Sequence, residues 1–360
     1  MQKSIRDLVP YDPGLTLEQL EKKVGKKIIK LSANESLWGP SPLVKTALQE
    51  AFNNLNYYPD GVAAELKKAL ASCWNLPEEN FCLGNGTDEL IFLLTNAFLN
   101  PGDEVVIPTP TFSSYASSVK IVGGKVKPIP QEKLSFKLTE IAEAIHTGVK
   151  MVFLCNPNNP TGTFFKHGEL EVFLKKVAPE TLVILDEAYC QYATDPQFPV
   201  ARELVNKYPN LIVLRTFSKV YGLAALRVGY AVAHKDVITE LEKVRQPYNV
   251  NIPAQIAALA AWQDEVYRQK VVKETVEERV WVTETLQQKG LKVLPSQSNF
   301  LLVQHHDAEL IEERLLQEGF LIRHTASFGL PDWFRITIAP HQEMKLFMDS
   351  LERVLTEINS

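Results

Sequence analysis

Short apolar runs alternate with amphipathic stretches through the middle of the chain. Runs at 126–129, 151–155, 182–186, 211–215 and 228–233 are nearly continuously apolar, with helical patterns at 142–146 and 170–177 between them. Strands buried on both faces read this way, and helical connections between them predict a mainly parallel sheet flanked by helices, an α/β fold. Before this region, 104–108 reads as a buried strand and 63–74 as an amphipathic helix. A second helix starts at Thr87 and Asp88 and turns Leu90, Ile91, Leu94 and Phe98 to one face. After it, 254–262 and 266–288 read as long helices. A smaller α+β unit follows, with strands at 299–303, 320–323 and 333–338 and a helix at 308–317. The first 35 residues form an arm: a turn at Tyr11-Asp12-Pro13-Gly14, a short polar helix at 16–24, and an edge strand at 27–31. The expected division is an arm at 1–35, a large domain at 36–285 and a small domain at 286–360.

Ligands in open parallel sheets bind beyond the carboxyl ends of the strands. Asn159, Asp186 and Lys219 each lie just past a predicted strand end, so the pattern gathers them at one site. Around Lys219 the chain reads Thr216-Phe217-Ser218-Lys219-Val220-Tyr221-Gly222, with Arg227 eight residues on. A lysine forms a Schiff base with an aldehyde, and two hydroxyls with a guanidinium suit a phosphate. By itself the stretch is only suggestive, since most Ser-Lys pairs are surface lysines in strand-to-loop turns. A second phosphate element is Gly84-Asn85-Gly86-Thr87-Asp88, two glycines leading into a helix whose first backbone N–H groups, those of Gly86, Thr87 and Asp88, face an anion.

Asn156-Pro157-Asn158-Asn159-Pro160-Thr161-Gly162, then Asp186-Glu187-Ala188-Tyr189, then Ser218-Lys219 with Arg227 occur in this order. Together they resemble fold-type I pyridoxal-phosphate (PLP) aminotransferases, with a large domain built on a mainly parallel sheet and a smaller α+β domain. The resemblance runs from end to end and is strongest to histidinol-phosphate aminotransferases and their aromatic-amino-acid-using relatives. It implies a ping-pong transfer from an amino donor to 2-oxoglutarate, with histidinol phosphate the preferred donor and a place in histidine biosynthesis. Phenylalanine or tyrosine is the alternative donor. A PLP-dependent decarboxylase or lyase would use the same lysine and aspartate.

The resemblance also assigns roles. Lys219 holds the cofactor and moves the proton, Asp186 faces the pyridine nitrogen, and Tyr189 and Asn159 hydrogen-bond the phenolate oxygen. Phe112 stacks on the ring. The Gly86, Thr87 and Asp88 backbone, Thr216, Ser218 and Arg227 hold the phosphate. Tyr58 reaches the phosphate of the other protomer, which implies a homodimer. Arg335 binds the anionic end of the substrate, with Arg323 the second candidate, and Tyr11 and Asn34 approach the substrate from the arm. The arm departs from the family pattern at Asn34-Glu35-Ser36-Leu37-Trp38-Gly39, where relatives often carry Asn-Glu-Asn-Pro-x-Gly.

Composition narrows the alternatives. The 360 residues are 45% hydrophobic and 22% charged with a net charge of −5, ordinary globular material without the basic footprint of a nucleic-acid binder. A PLP-fold DNA-binding regulator would need an added helix-turn-helix, and the stretch before Lys30 is too short for one. The first residues lack the apolar core of a signal peptide and no run approaches a membrane span, so a cytoplasmic enzyme is expected. Cys73, Cys82, Cys155 and Cys190 are scattered without CxxC spacing, which argues against a bound metal and against a disulfide framework.

Overall fold

The computed structural model describes residues 3–6, 8, 10 and 14–358. Its thirteen described strands are β1 (Ile29–Lys30), β2 (Phe81–Gly84), β3 (Glu104–Thr109), β4 (Lys125–Pro130), β5 (Val149–Cys155), β6 (Leu182–Asp186), β7 (Leu211–Thr216), β8 (Gly229–Val232), β9 (Lys292–Val293), β10 (Phe300–Gln304), β11 (Phe320–Leu321), β12 (Arg323–His324) and β13 (Trp333–Thr337).

Seven of them make the main sheet, in the order β2-β8-β7-β6-β5-β3-β4. β4, β3, β5, β6 and β7 run parallel, and β8 runs antiparallel to both β7 and β2. The central strands are Val, Ile and Leu runs buried on both faces, as a sheet covered by helices on each side requires. One face packs a large core that includes Phe173, Phe217, Tyr221 and Tyr230. The other packs Leu90, Leu94, Val119 and Leu241 from the helices Gly86–Phe98, Ser113–Ile121 and Lys235–Val244.

A four-stranded antiparallel sheet, β12-β13-β10-β9, carries the second core, built with the helices Ala308–Gln317 and His341–Ile358. The long helix Glu265–Gln288 serves both units: Val271 belongs to the large core, while Val282 and Leu286 belong to the small one. The arm joins the small unit through β1, which pairs in parallel with β11. The polar helix before it, Leu17–Val24, is held at its start by a reciprocal capping box between Thr16 and Gln19. None of the described helices is long and apolar enough to cross a membrane.

Two local expectations are corrected. The apolar run 320–323 is not one strand, because β11 pairs with the arm while β12 joins the antiparallel sheet; the chain changes sheets at buried Ile322. The helix expected at 142–146 lies earlier, at Leu138–Glu143, with Leu138 and Ile141 as its buried face.

Candidate active site

The parallel strands point their carboxyl ends to one edge, and there the strand order brings chemistry together. β5 ends at Cys155 in register with Asp186, the last residue of β6, and Asp186 is in register with Leu214 of β7. The backbone ladder extends past the strands: Asn156 N–H donates to Asp186 O at 2.9 Å and Glu187 N–H to Leu214 O at 2.9 Å. These bonds fix where the Asn156–Asn159 loop, Asp186 and the Thr216–Lys219 turn begin.

Asp186 is buried, and among the described residues no cation pairs with it. Its Oδ2 accepts the Tyr115 hydroxyl at 2.7 Å and its Oδ1 accepts the Ala188 N–H at 3.1 Å. Burial pushes its pKa up to about 6 against the pull of these two hydrogen bonds. Phe112 precedes the helix Ser113–Ile121 and meets Tyr115 edge to face, with ring centroids 5.5 Å apart. Tyr115 lies three residues on, one helical turn away, and ends on Asp186; its i, i+3 spacing from Phe112 was the available sequence signal for it.

Lys219 leaves the turn after β7. Its Nζ donates to the Ala33 carbonyl at 3.1 Å and sits 5.5 Å from the centre of the Tyr189 ring. Desolvation, then the Arg335 and Arg227 charges, lower its pKa to about 8, although Glu35 and Asp88 oppose the shift. Tyr189 stands edge-on to Phe300 at 5.1 Å, and its hydroxyl accepts Asn34 Nδ2 at 3.0 Å.

The phosphate-type residues converge at the start of the helix Gly86–Phe98. Asn85 supplies no side-chain cap to this helix. Arg227 donates from Nη1 to Ser218 Oγ at 3.2 Å and pairs through Nη2 with Asp88 at 3.2 Å, while Ser218 N–H donates to Thr216 Oγ1 at 3.0 Å. Asp88 also accepts Ser114 Oγ at 2.9 Å. Gly86 has φ +80°, a conformation that favours glycine, and a Cβ there would meet the Arg227 guanidinium, which would have to move aside. Thr87 follows Gly86 in the first turn.

Arg335 reaches the site from β13 of the small unit. It donates from Nη1 to Asn159 Oδ1 and from Nη2 to Ser32 O at 2.6 Å, and its guanidinium lies 5.3 Å from the Phe300 ring centre. Its Nε is buried and has no partner among the described residues. Burial, and secondarily the charge of Arg323, lower its pKa to about 10. Arg323 is opposite Arg335 across β12 and β13, but is exposed and donates to Ser327 Oγ at 3.1 Å. Tyr58 stands apart from these groups in this chain. It is 81% exposed and stacks on Tyr248 with centroids 4.7 Å apart. Tyr11 lies outside the described residues. Sequence reasoning missed the carbonyls of Ser32 and Ala33 and the ring of Phe300. Backbone acceptors and a packing aromatic carry no motif.

Residues 26–351 match the family model for aminotransferase class I and II. The chain belongs to the class I and II aminotransferase family. It is 41% identical over 358 residues to histidinol-phosphate aminotransferase 2 of Carboxydothermus hydrogenoformans, covering 99% of each chain. It is 40% identical to the histidinol-phosphate aminotransferase of Moorella thermoacetica, covering 98% of this chain and 92% of that one. Among solved structures it is similar to histidinol-phosphate aminotransferase from Sinorhizobium meliloti in complex with pyridoxal-5'-phosphate. There the TM-score is 0.92 at 30% identity, over 99% of this chain and 98% of that one. The chain has the fold-type I architecture, with a mainly parallel central sheet flanked by helices.

Proposed function

We propose that the protein is a PLP-dependent aminotransferase that moves the amino group of histidinol phosphate to 2-oxoglutarate, giving imidazole-acetol phosphate and glutamate in histidine biosynthesis. The observation that carries this reading is the convergence of Lys219, Asp186, Tyr189 and Asn159 with the Arg227 cradle in a chain so similar to named histidinol-phosphate aminotransferases. The pocket's own chemistry fits pyridoxal 5'-phosphate. A buried carboxylate without a cation suits a protonated ring nitrogen, and a partly neutral lysine suits an aldehyde. An uncapped helix start beside an arginine suits a phosphate.

Bound there, the cofactor supplies an aldehyde for the amino group and a ring that takes up the electron pair released when the donor's Cα–H bond breaks. Lys219 anchors it and, once freed by the donor, takes the Cα proton on Nζ; its lowered pKa makes it a competent base near neutral pH. Asp186 keeps a positive charge on the ring nitrogen, while Tyr189 and Asn159 hold the phenolate oxygen. Phe112 walls one face of the ring. Gly86, Thr87, Asp88, Thr216, Ser218 and Arg227 bind the phosphate. Arg335 receives the anionic end of either substrate through its guanidinium fork, and its unpartnered Nε is a donor in reserve. Arg323 adds positive charge beside it, and Asn34 of the arm approaches the substrate, with Tyr11 expected from the family resemblance to do the same.

The same reading makes the active unit a cytoplasmic homodimer, with exposed Tyr58 contributed to the partner's phosphate site. The chain divides into an arm at 1–35, a large domain at 36–285 and a small domain at 286–360, with the helix Glu265–Gln288 spanning their junction. The test is a single-turnover experiment. PLP-loaded protein is mixed with histidinol phosphate, and separately with phenylalanine, without any oxo acid. Conversion of the bound cofactor to pyridoxamine phosphate, faster with histidinol phosphate, is expected. Preference for phenylalanine would move the substrate assignment to the aromatic amino acids, and release of carbon dioxide or fragmentation of the donor would move it out of transamination.

A further inference from the structure

Asn159 and Tyr189, the two groups assigned to the phenolate oxygen, sit on separate loops of the large unit, and one short segment of the small unit touches both loops. That segment, 296–299, is folded on itself: Ser296 Oγ donates to Phe300 O at 2.7 Å and accepts Ser298 N–H at 3.1 Å. Gln297 reaches out from it in two directions. Its backbone N–H donates to Gly162 O at 2.8 Å, at the end of the loop that carries Asn159. Its Oε1 accepts Thr194 N–H at 2.6 Å and Asp195 N–H at 3.2 Å, in the turn that follows Tyr189. The approach is close, because Gly162 has φ +74° and a Cβ there would run into Ser296. Arg279, buried on the helix Glu265–Gln288, ties the same pieces from behind. Its Nη1 donates to Ser298 O at 2.7 Å and to Tyr192 O at 3.1 Å.

We propose that Gln297 is a positioning residue, a clasp from the small unit that fixes the spacing of Tyr189 and Asn159 around the cofactor's phenolate oxygen. This inference rests on the PLP reading above. Both donors lie beyond the last ladder hydrogen bonds of β5 and β6, so the sheet alone does not hold them. A hydrogen bond weakens steeply with small changes of distance and angle, and two donors on one oxygen need their loops held in a common frame. An amide oxygen has two lone pairs, which lets Gln297 take both N–H groups of the turn at once. The segment runs straight into β10, whose partner β13 carries Arg335. The clasp is thus continuous with the strand pair assigned to the substrate's anionic end, and Gln297 acts on the cofactor through Tyr189 without touching it.

The test compares wild-type protein with Gln297→Met, which is close in size but offers the turn no amide oxygen. In the apoprotein, the Thr194 and Asp195 amides should exchange with deuterium about tenfold faster in the variant, as for loss of one hydrogen bond. In the PLP-loaded protein, the visible absorbance of the Lys219-bound cofactor is titrated with pH. Donors on the phenolate oxygen stabilise its negative charge and make the neighbouring nitrogen less basic, so a loosened Tyr189 should move this titration up, by about half a pH unit. In a Tyr189→Phe background, Gln297→Met should move it by less than half as much, as expected for action through the Tyr189 hydroxyl. Faster exchange with an unmoved titration confines Gln297 to holding the turn and overturns the inference, as does an equal shift in the Tyr189→Phe background. If Gln297→Met does not fold or load, Gln297→Asn keeps an amide but draws it back by one methylene and should move the titration in the same direction; no upward movement there overturns the inference as well. Wild-type protein that takes up no PLP overturns the proposed function and this inference with it, whereas a loaded wild type beside an unmoved variant overturns the inference alone.

Discussion

Asn34 donates from Nδ2 to the hydroxyl oxygen of Tyr189 at 3.0 Å, although the two residues are 155 positions apart. Asn34 is buried, adopts φ 57°, and its backbone N–H is held by Thr337 Oγ1 at 3.0 Å. Because Tyr189 accepts this bond, its own O–H is directed away from Asn34 and remains available as a donor within the site. Asn34→Ala should lower kcat by about tenfold through loss of that orientation. It should also lower stability by about 1–3 kcal/mol, since a buried hydroxyl loses its donor and alanine is disfavoured at this φ. Single-turnover kinetics and thermal unfolding of the same variant check both effects. An unchanged kcat alongside a lowered Tm would confine Asn34 to a structural role.

Lys219 is expected to capture PLP through its neutral amine. With its pKa lowered to about 8, the rate of cofactor uptake by the apoprotein should rise with pH and level off above that value, not near 10.5. Stopped-flow absorbance at a series of pH values reads this directly. Lys219→Ala should remain folded and show no multiple turnover.

Asp186 makes a signed prediction for the apoprotein. Its folded pKa, raised to about 6, exceeds the unfolded value near 3.8, so the native state binds more protons between these values. Its contribution is therefore most favourable below about pH 4 and is lost as pH rises through 6. The limit is about 3 kcal/mol. Asp186→Asn should remove this component of the pH dependence of Tm. PLP binding should remove it too, by placing a cation opposite the carboxylate.

At the phosphate cradle, Gly86→Ala would strain the backbone at φ +80° and push the Arg227 guanidinium aside. We expect PLP affinity to fall, by no more than in Arg227→Ala, where about 10- to 100-fold is the range for one lost charge-assisted contact. Equilibrium titration with PLP checks it. An affinity within twofold of wild type would remove Gly86 from the cradle.

Arg335→Lys keeps a charge but loses the planar fork that now spans Asn159 and Ser32. Its kcat/KM should fall by about 100-fold for the amino donor and for 2-oxoglutarate alike. Exposed Arg323→Ala should cost less, about tenfold at most. Equal losses in both variants would make the two arginines one shared anion site.

Much of this protein is set locally in the chain. The runs of β5, β6 and β7 are buried on both faces because their sequences are continuously apolar, and parallel strands buried in this way deliver their following loops to a single edge. Asn159, Asp186 and Lys219 were legible for that reason, and Gly86 because a glycine turn before a helix has a local signature. The sheet change at Ile322 was not legible, since an apolar tetrapeptide does not say which partners its two halves will find. Nor were the contacts that give the site its electrostatics. Tyr115 meets Asp186 across 71 positions and Arg335 meets Asn159 across 176, so these pairs exist only once helix, sheet and small unit have packed. Local sequence determined which groups stand at the strand ends; tertiary packing decided which of them touch and how far burial moves their charges, because hydrogen bonding and desolvation depend on neighbours remote in the chain.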